Sequence, residues 1–462
     1  YSSPWRGGWW RLSDACRYMY EADMAVLDLS SKYREQMAYN KYRAARDTIE
    51  KFEKEPPFAY EIPREQRDAP TAALLMEKLM LHGIEIHQSV KPDAWVILMN
   101  QPFAGLVKEL FEPQVYPAIT QRPYDVTGWT LPYQMGVEVH AVTSPLSKQY
   151  VDSLRSIKEV TGLAAPFNRA ANASYRAVNE ILAAKGTVSF AGDDIAAAGI
   201  DKAKLDAILS GNRLRAAASK EEGKAVKAAR IGLYRPWVAS IDEGWTRWIL
   251  EQFQFPFTSL YNADIRGGHL REHTDVIVIP DISERQILDG QRPGTIPERY
   301  AGGLGDEGVD ALRDFVSDGG TLIAFNNASL FAINQFKLPV TNALAGVRPD
   351  QFFCSGCLLK VHIEDAKNAL TAGLPPDATV MFERGPAFDT KSDFKGAVLA
   401  RYSRDRSPLE SGYLAGPDRI EGKIAALEAT VGKGRVILLG FKPQWRGQSH
   451  GSYKFFFNAF YF

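Results

Sequence analysis

The sequence is short of the residues that build disulfide scaffolds, basic surfaces and membrane spans. It has three cysteines in 462 residues, which is too few for a disulfide framework. Lys plus Arg equals Asp plus Glu at 55 each, so no excess of basic charge indicates binding to nucleic acid. No apolar run reaches the roughly 18 residues of a membrane-spanning helix. These absences predict a globular protein without a nucleic-acid partner and without a membrane span.

The length and the breaks in pattern predict three parts. A single hydrophobic core seldom serves more than about 250–300 residues, and this chain has 462. Apolar residues recur at helical spacing over residues 13–54, and the proline-rich stretch EPPFAYEIP (55–63) follows. Proline disfavours helix at the residue before it, so that stretch ends the helical pattern. We expect a mainly helical segment over 1–56, a mixed α/β domain over 57–229 and an α/β domain over 230–462.

The last part carries the clearest strand pattern. TDVIVIPD (274–281) and TLIAFNN (321–327) are nearly continuous apolar runs, and amphipathic helical patterns separate them. Such runs indicate parallel strands covered by helices on both faces of a sheet. The middle part alternates strand-like and helix-like patterns, a rhythm typical of βαβ units. The sequence thus predicts an α/β fold class, with a mainly parallel sheet in the last domain.

Polar and aromatic side chains follow three strands of this predicted sheet. In open parallel sheets, ligands bind beyond the carboxyl ends of the strands. The alternative is that Asp242 caps the next helix and that the two asparagines shape a turn. The candidate ligand-binding residues are Trp237, Asp242, Glu243, Asp281, Asn326 and Asn327.

Two short motifs match the spacing of metal or redox sites but lack the remainder of such sites. His82 and Glu85 have HxxE spacing, yet Gly83 is expected to end a helix between them, so the two side chains need not converge on zinc. Cys354 and Cys357 have CxxC spacing without a second pair, whereas a structural zinc site needs four ligands. We expect these cysteines to be inert or joined in a local disulfide, and we assign no metal ligand and no catalytic residue.

Several long blocks of the sequence resemble one protein family. They are PWRGGWWRLSDACRYM (4–19), RPYDVTGWTLPYQMGVEV (122–139), DEGWTRWILEQFQFPFTSLYNADIR (242–266) and GKGRVILLGFKPQWRGQSHGSYKFFFNAFY (432–461). Together they resemble the C-terminal portion of large bacterial zinc carboxypeptidases of the carboxypeptidase A-like family. In that family a peptidase domain comes first and accessory α/β domains follow. The resemblance implies a last domain that is flavodoxin-like and similar to a class I glutamine amidotransferase.

The resemblance also implies that the peptidase chemistry lies outside these 462 residues. The family's zinc ligands, an HxxE pair and a later His, and its general-base Glu precede the GGWWRL segment (7–12), and none of them matches a position here. The resemblance implies no cofactor in this chain and zinc in an upstream peptidase domain, of which residues 1–56 are the end. It also implies a secreted or periplasmic protein, whose signal would precede Tyr1.

The last domain lacks the catalytic residues of true glutamine amidotransferases. Those enzymes place a Cys on a tight turn between strand and helix and activate it with a late His–Glu pair. Here the strand TLIAF leads into Asn326-Asn327-Ala328-Ser329, and no late His-x-Glu follows. No glutaminase activity is expected.

Three functions remain open from the sequence. The first is an accessory C-terminal region of a zinc metallocarboxypeptidase, inactive by itself, with the upstream peptidase domain as its partner. The second is a noncatalytic module that binds a glycan, a peptide or a partner protein, or that assembles into homo-oligomers. The third is a hydrolase that uses another nucleophile, such as Ser329, although the sequence places no base beside it.

Overall fold

A long exposed helical segment opens the part of the chain that the structure describes. The computed structural model describes residues 8–117, 121–217 and 223–461, so the first seven residues of the predicted 1–56 segment lie outside it. Helix α1 (Leu12–Lys32) and helix α2 (Arg34–Phe52) follow each other directly, and Tyr33 interrupts them with φ −108° and ψ 20°. Phe52 is buried, and no other side chain of these two helices is. The predicted helical segment is confirmed, but its apolar side chains face solvent.

The middle region, residues 57–229, is built from short elements. Asp68 begins its first helix, because the Asp68 carboxylate accepts a hydrogen bond from the Thr71 backbone N–H at 3.2 Å. The helices are α3 (Ala69–Leu81), α4 (Ala104–Phe111), α5 (Leu131–Met135), α6 (Lys148–Ser153), α7 (Ala173–Ala183) and α8 (Lys202–Gly211). The strands are β1 (Ala59–Pro63), β2 (His87–Val90), β3 (Asp93–Leu98), β4 (His140–Val142), β5 (Arg155–Ser156), β6 (Ala165–Pro166), β7 (Thr187–Ala191), β8 (Asp194–Ala198), β9 (Leu214–Arg215) and β10 (Lys224–Val226).

The main sheet of the middle region is antiparallel. Its strand order is β4-β1-β3-β2-β5, and every pairing described in it is antiparallel. The βαβ rhythm expected from the sequence is therefore wrong for this sheet. Strands β2 and β3 are separated by only two residues, and so short a connection can join antiparallel but not parallel neighbours.

The last region, residues 230–462, is built around one large sheet. The helices are α9 (Ile241–Gln252), α10 (Asn262–Arg266), α11 (Leu270–His273), α12 (Glu284–Asp289), α13 (Gly305–Ser317), α14 (Ala328–Gln335) and α15 (Lys454–Phe457). The strands are β11 (Ile231–Tyr234), β12 (Phe257–Leu260), β13 (Val276–Ile279), β14 (Thr321–Phe325), β15 (Val340–Asn342), β16 (Cys357–Ile363), β17 (Asp377–Phe382), β18 (Phe388–Thr390), β19 (Gly396–Tyr402), β20 (Leu409–Ser411), β21 (Ile424–Val431) and β22 (Gly434–Leu439).

Five strands of this sheet are parallel neighbours, in the order β12-β11-β13-β14-β22. The sheet continues through β21, β19, β16 and β17, whose pairings are antiparallel. Helix α13 packs on the parallel part, because Val309, Leu312 and Val316 recur at helical spacing and are buried. The α/β fold class predicted from the sequence is confirmed, whereas the three-part division into domains stays a prediction.

An aromatic segment near the C-terminus joins the middle and last regions. Phe457 is fully buried, and its ring centroid lies 5.4 Å from that of Tyr175 in α7 and 4.8 Å from that of Phe253 after α9. The backbone N–H of Ala229 donates to the carbonyl of Phe460 at 2.8 Å. The core is therefore continuous from the middle region into the last.

Two further features bear on the expectations from the sequence. The sulphur atoms of Cys354 and Cys357 are joined in a disulfide, which is one of the two states expected for this pair. No helix in the described ranges is long and apolar enough to cross a membrane.

Candidate functional site

The predicted site lies at one edge of the last region's sheet. Strands β11, β13, β14 and β22 are parallel, so their carboxyl ends meet at the same edge. Strand β17 runs in the same direction, because four antiparallel pairings separate it from β22. Side chains that follow any of these strands are therefore brought to a common edge.

A buried lysine binds three carboxylates at this edge. Lys442 Nζ lies 3.0 Å from Asp242 Oδ2, 3.0 Å from Asp281 Oδ2 and 3.1 Å from Glu383 Oε2. The side chains of Lys442, Asp242 and Asp281 are 9%, 13% and 12% exposed. Taking such charges out of water is costly unless they pair. The ammonium group thus occupies the position at which the sequence predicted a ligand crevice.

Burial and charge shift the pKa values of this cluster in opposing ways. Burial raises the pKa of Asp242 to about 6, and the nearby carboxylates of Asp281 and Glu383 add to that rise, while Lys442 opposes it. Burial alone would lower the pKa of Lys442, but Asp242, Asp281 and Glu383 together raise it above its ordinary value. At pH 7 the lysine is therefore charged, and no neutral amine is present to act as a base.

Neighbouring groups hold the three carboxylates in place. Gln444 Nε2 donates to Asp242 Oδ1 at 3.1 Å, and Trp445 Nε1 donates to Glu383 Oε2 at 3.2 Å. The backbone N–H of Asn327 donates to Asp281 Oδ1 at 3.0 Å. Each carboxylate therefore accepts a hydrogen bond from a second partner besides the lysine, as a buried charge requires.

The turn between β14 and α14 has the shape of a nucleophile elbow but carries no nucleophile. Asn326 occupies the turn with φ +49°, a backbone conformation that asparagine tolerates better than most residues. Its side chain is fully buried, and its Nδ2 donates to the carbonyl of Glu383 at 3.0 Å. A Cβ on Gly385 would lie 2.1 Å from Asn326 Oδ1, so that glycine lets the backbone close over the amide. The buried amide leaves no room here for a reacting group.

Ser329 is also unsuited to nucleophilic catalysis. Its hydroxyl is fully buried and donates to the carbonyls of Ala324 at 3.1 Å and Leu439 at 3.3 Å. A nucleophilic hydroxyl needs a base within hydrogen-bonding reach, and both of these neighbours are carbonyl acceptors. The hypothesis that Ser329 acts as a nucleophile is therefore wrong.

The remaining candidates, Trp237 and Glu243, lie apart from the lysine cluster. The Trp237 ring stacks on Tyr261 at 4.6 Å and 20°, and Tyr300 lies 4.5 Å away. Glu243 forms an ion pair with Arg247 on its own helix. We call Trp237, Tyr261 and Tyr300 the aromatic cluster.

Helix α9 is capped by a residue that the sequence analysis did not consider. Ser240 Oγ accepts a hydrogen bond from the Glu243 backbone N–H at 3.1 Å. The alternative role of Asp242 as the cap is therefore wrong, and its carboxylate is available to Lys442. The asparagines, by contrast, do lie in the turn after β14.

The sequence analysis missed four residues of this site. Lys442 and Gln444 follow β22, and Glu383 follows β17. The strand-end criterion that selected Asp242 and Asp281 would have found them, had it been applied to the later strands. Trp445 lies in a short turn beyond β22 and carries no comparable signal in the sequence.

The HxxE spacing of the middle region does not form a site. His82 follows the last turn of α3 and is exposed, and Glu85 lies in the connection to β2. Gln101 Oε1 accepts a hydrogen bond from the Glu85 backbone N–H at 2.8 Å. Within the described ranges, no three His, Cys, Asp or Glu side chains are grouped so that they could hold a metal ion.

Comparison with known proteins gives likeness in fold alone. No protein-family model matches the sequence, and a search of curated proteins finds no match. PurLQS from Thermotoga maritima is 16% identical with a TM-score of 0.35, over 50% of this chain and 98% of that one. A putative ThuA-like protein from Bacteroides uniformis is 13% identical with a TM-score of 0.30, over 50% and 89%. A putative GMP synthase protein from Thermoplasma acidophilum is 12% identical with a TM-score of 0.30, over 50% and 95%.

Proposed function

We propose that this chain is a noncatalytic accessory region that packs against a zinc metallocarboxypeptidase domain. The observation that carries the proposal is the exposed apolar surface of α1 and α2. Contiguous exposed apolar patches mark surfaces that bind other proteins or domains. The large apolar side chains exposed there are Leu12, Tyr18, Met19, Tyr20, Met24, Val26, Leu27, Leu29, Tyr33, Met37, Tyr39 and Tyr42.

The exposed side chains of α1 include a continuous stripe. Leu12, Met19, Val26, Leu29 and Tyr33 recur at spacings of three, four and seven residues, which places them on one helix face. We call these five residues the α1 stripe. Burying one such side chain contributes about 1.5–3 kcal/mol. A stripe of this length is therefore a strong docking surface.

The face opposite the α1 stripe is charged. Asp14, Arg17, Glu21 and Asp28 lie there, and Asp28 pairs with Lys32 at 2.6 Å. A helix with one apolar and one charged face is typical of packing against a folded core. The partner we propose is a domain with its own apolar surface.

The identity of that domain rests on the resemblance of residues 4–19 and three later blocks to large bacterial zinc carboxypeptidases. The buried Asn326 at the elbow and the lysine-filled sheet edge support a noncatalytic role for the last region. Peptide hydrolysis would belong to the zinc site of the attached domain. This chain would supply the scaffold.

The first arm of the test is the intact mass and zinc content of the protein as isolated. We expect a mass well above 51.4 kDa, about one zinc ion per chain, and release of C-terminal amino acids from peptides. A zinc-containing protein of higher mass that cleaves no peptide C-terminus would contradict the proposal, as would a mass of 51.4 kDa without zinc.

The second arm places two charges on the α1 stripe. Met19→Glu combined with Val26→Glu is expected to cost at least about 3 kcal/mol of unfolding free energy when the peptidase domain is attached, because two buried apolar contacts become buried charges. In the 51.4 kDa chain alone the cost should stay within about 0.5 kcal/mol, since both side chains are exposed. Denaturant unfolding of both forms measures the difference.

The matched control for this variant also adds two glutamates. Arg17→Glu combined with Ser31→Glu changes exposed positions of the same helix away from the stripe. Equal losses in the two variants would contradict docking through the stripe. Dimers of the 51.4 kDa chain that dissociate only in the stripe variant would instead identify a second copy as the occupant.

A noncatalytic binding role for the last region is the second candidate function, and the aromatic cluster favours it. Trp237 is 38% exposed beside the sheet edge, and aromatic rings stack on sugar faces. Soluble peptidoglycan fragments are expected to raise the melting temperature of the wild type but not of Trp237→Ala. Trp9→Ala, at a site 86% exposed on the N-terminal segment, is the control. A shift that survives Trp237→Ala would rule out this cluster as the site.

A further inference from the structure

A groove of about 700 Å³ runs along the seam between the middle and last regions. Leu74 and Met135 of the middle region line it, and Trp248 and Phe253 line it from the last region. We call it the seam groove. Small-molecule sites have volumes of about 300–1,000 Å³, lie preferentially between domains and are lined mainly by apolar side chains. The seam groove fits this description, and it is separate from both the lysine cluster and the aromatic cluster.

A tryptophan on helix α9 forms a fixed wall of the groove. Trp248 is 42% exposed, an unusual state for so large an apolar ring. A Cβ on Gly447 would lie 2.7 Å from Trp248 Cζ3, and Gly447 has φ +67°. The indole therefore rests directly on the backbone of that glycine. The ring presents an open apolar surface in a defined position.

The rim of the groove is positively charged. Lys78, Arg176 and Arg213 line it together with a single carboxylate, that of Glu77. Arg213 forms an ion pair with Glu77, and Arg176 forms one with Glu180 at 3.0 Å. Lys78 has no ion-pair partner among the described residues. Its ammonium group is therefore free to pair with an anion.

Buried hydrogen bonds across the seam hold the groove in shape. Asn172 Nδ2 donates to the carbonyl of His450, and Lys454 Nζ donates to Asn172 Oδ1, both at 2.8 Å. The backbone N–H of Asn172 donates to Asp68 Oδ2 at 2.9 Å. Burial lowers the pKa of His450 to about 4, so its ring is neutral at pH 7. The two sides of the groove are thus fixed before any ligand arrives, as in most small-molecule sites.

We propose that the seam groove binds an amphipathic monoanion, a molecule with an apolar body and one carboxylate. The apolar body packs against Trp248, Leu74 and Met135, and the carboxylate pairs with Lys78 at the rim. Two sources share this chemistry. One is a medium-length acyl chain, and the other is a short peptide that ends in an apolar residue with a free carboxylate. This site is independent of the accessory function proposed above.

Calorimetric titration of the 462-residue chain tests the proposal. The two acids are decanoate and N-acetyl-leucyl-phenylalanine, and their neutral counterparts are decanol and the peptide amide. We expect saturable binding of at least one acid, and binding of its neutral counterpart weaker by up to about fivefold, because an exposed ion pair contributes about 0.2–1 kcal/mol. Binding of decanoate alone assigns an acyl ligand, and binding of the peptide alone assigns a peptide ligand.

Four variants locate the site. Trp248→Ala is expected to weaken binding about tenfold or more, as loss of a central aromatic contact does, and Lys78→Gln is expected to remove the preference for the acid. Trp237→Ala and Lys158→Gln change exposed residues outside the groove and should bind like the wild type. Circular dichroism confirms that each variant is folded. Absence of saturable binding by both acids, or wild-type binding by Trp248→Ala, would overturn the proposal.

Discussion

Replacing Lys442 by Met is expected to lower the free energy of unfolding by about 3–5 kcal/mol at pH 7. The ammonium group lies within 3.1 Å of Asp242, Asp281 and Glu383. Without it, three carboxylates share a mostly buried edge of the sheet with no cation between them. Methionine keeps most of the side-chain volume, so the loss reports charge and not packing. Denaturant unfolding at pH 7 measures it.

The pH dependence of this variant follows from Asp242. Its folded-state pKa, about 6, is raised above the ordinary value of 3.8, so between these values the folded state holds a proton that the unfolded state has lost. This group's contribution to stability is therefore greatest below about pH 4 and decreases as the pH rises through 6. Loss of Lys442 raises the pKa of Asp242 further. The cost of Lys442→Met should thus be smaller at pH 5 than at pH 7.

Lys433 provides the matched control for this experiment. It lies exposed in the turn between β21 and β22, nine residues before Lys442. Lys433→Met should change stability by no more than about 0.5 kcal/mol at either pH. A loss below about 1 kcal/mol for Lys442→Met, or an equal loss at pH 5 and pH 7, would show that the three carboxylates do not depend on this lysine.

Truncating Phe457 to Ala is expected to cost about 3–5 kcal/mol, the usual range for a large buried aromatic side chain. The Phe457 ring is fully buried and lies 5.4, 4.8 and 4.9 Å from the ring centroids of Tyr175, Phe253 and Phe255. Tyr175 belongs to the middle region and the other two to the last region. The cavity would therefore weaken the contact between the two regions as well as the core.

Two measurements separate these effects of Phe457→Ala. Denaturant unfolding gives the total loss, and calorimetry shows whether one transition splits into two as the regions uncouple. Phe103→Ala is the control, because that ring is 48% exposed at the start of α4 and should cost about 1 kcal/mol or less. A loss for Phe457→Ala no larger than that for Phe103→Ala would contradict the packing described for this segment.

The parts of the fold that depend on local pattern could be predicted from the sequence. Strands β13 and β14 are nearly continuous apolar runs because both faces of a parallel sheet are buried, and the expected strands coincide with those found. The middle sheet could not be derived in the same way. Whether neighbouring strands run parallel depends on which strands pair, and β1 pairs with β4 some 80 residues later.

The candidate site shows the same limit. Asp242 and Asp281 were found because each follows a predicted parallel strand. Their partner Lys442 was not found, because it lies 200 residues from Asp242 along the chain and follows a strand that the analysis did not treat as part of the site. Likewise the spacing of the α1 stripe predicts which side chains share a face. It carries no information on what covers that face.

The position of strand β22 has a consequence for how the protein folds during synthesis. This strand pairs with β14 on one side and β21 on the other, so it lies inside the sheet although it is the last strand in the sequence. Until residue 439 has left the ribosome, β14 presents an open strand edge, and such edges invite pairing with other chains. The sheet therefore closes only after more than 430 residues have been translated, so the protein needs protection from aggregation until then.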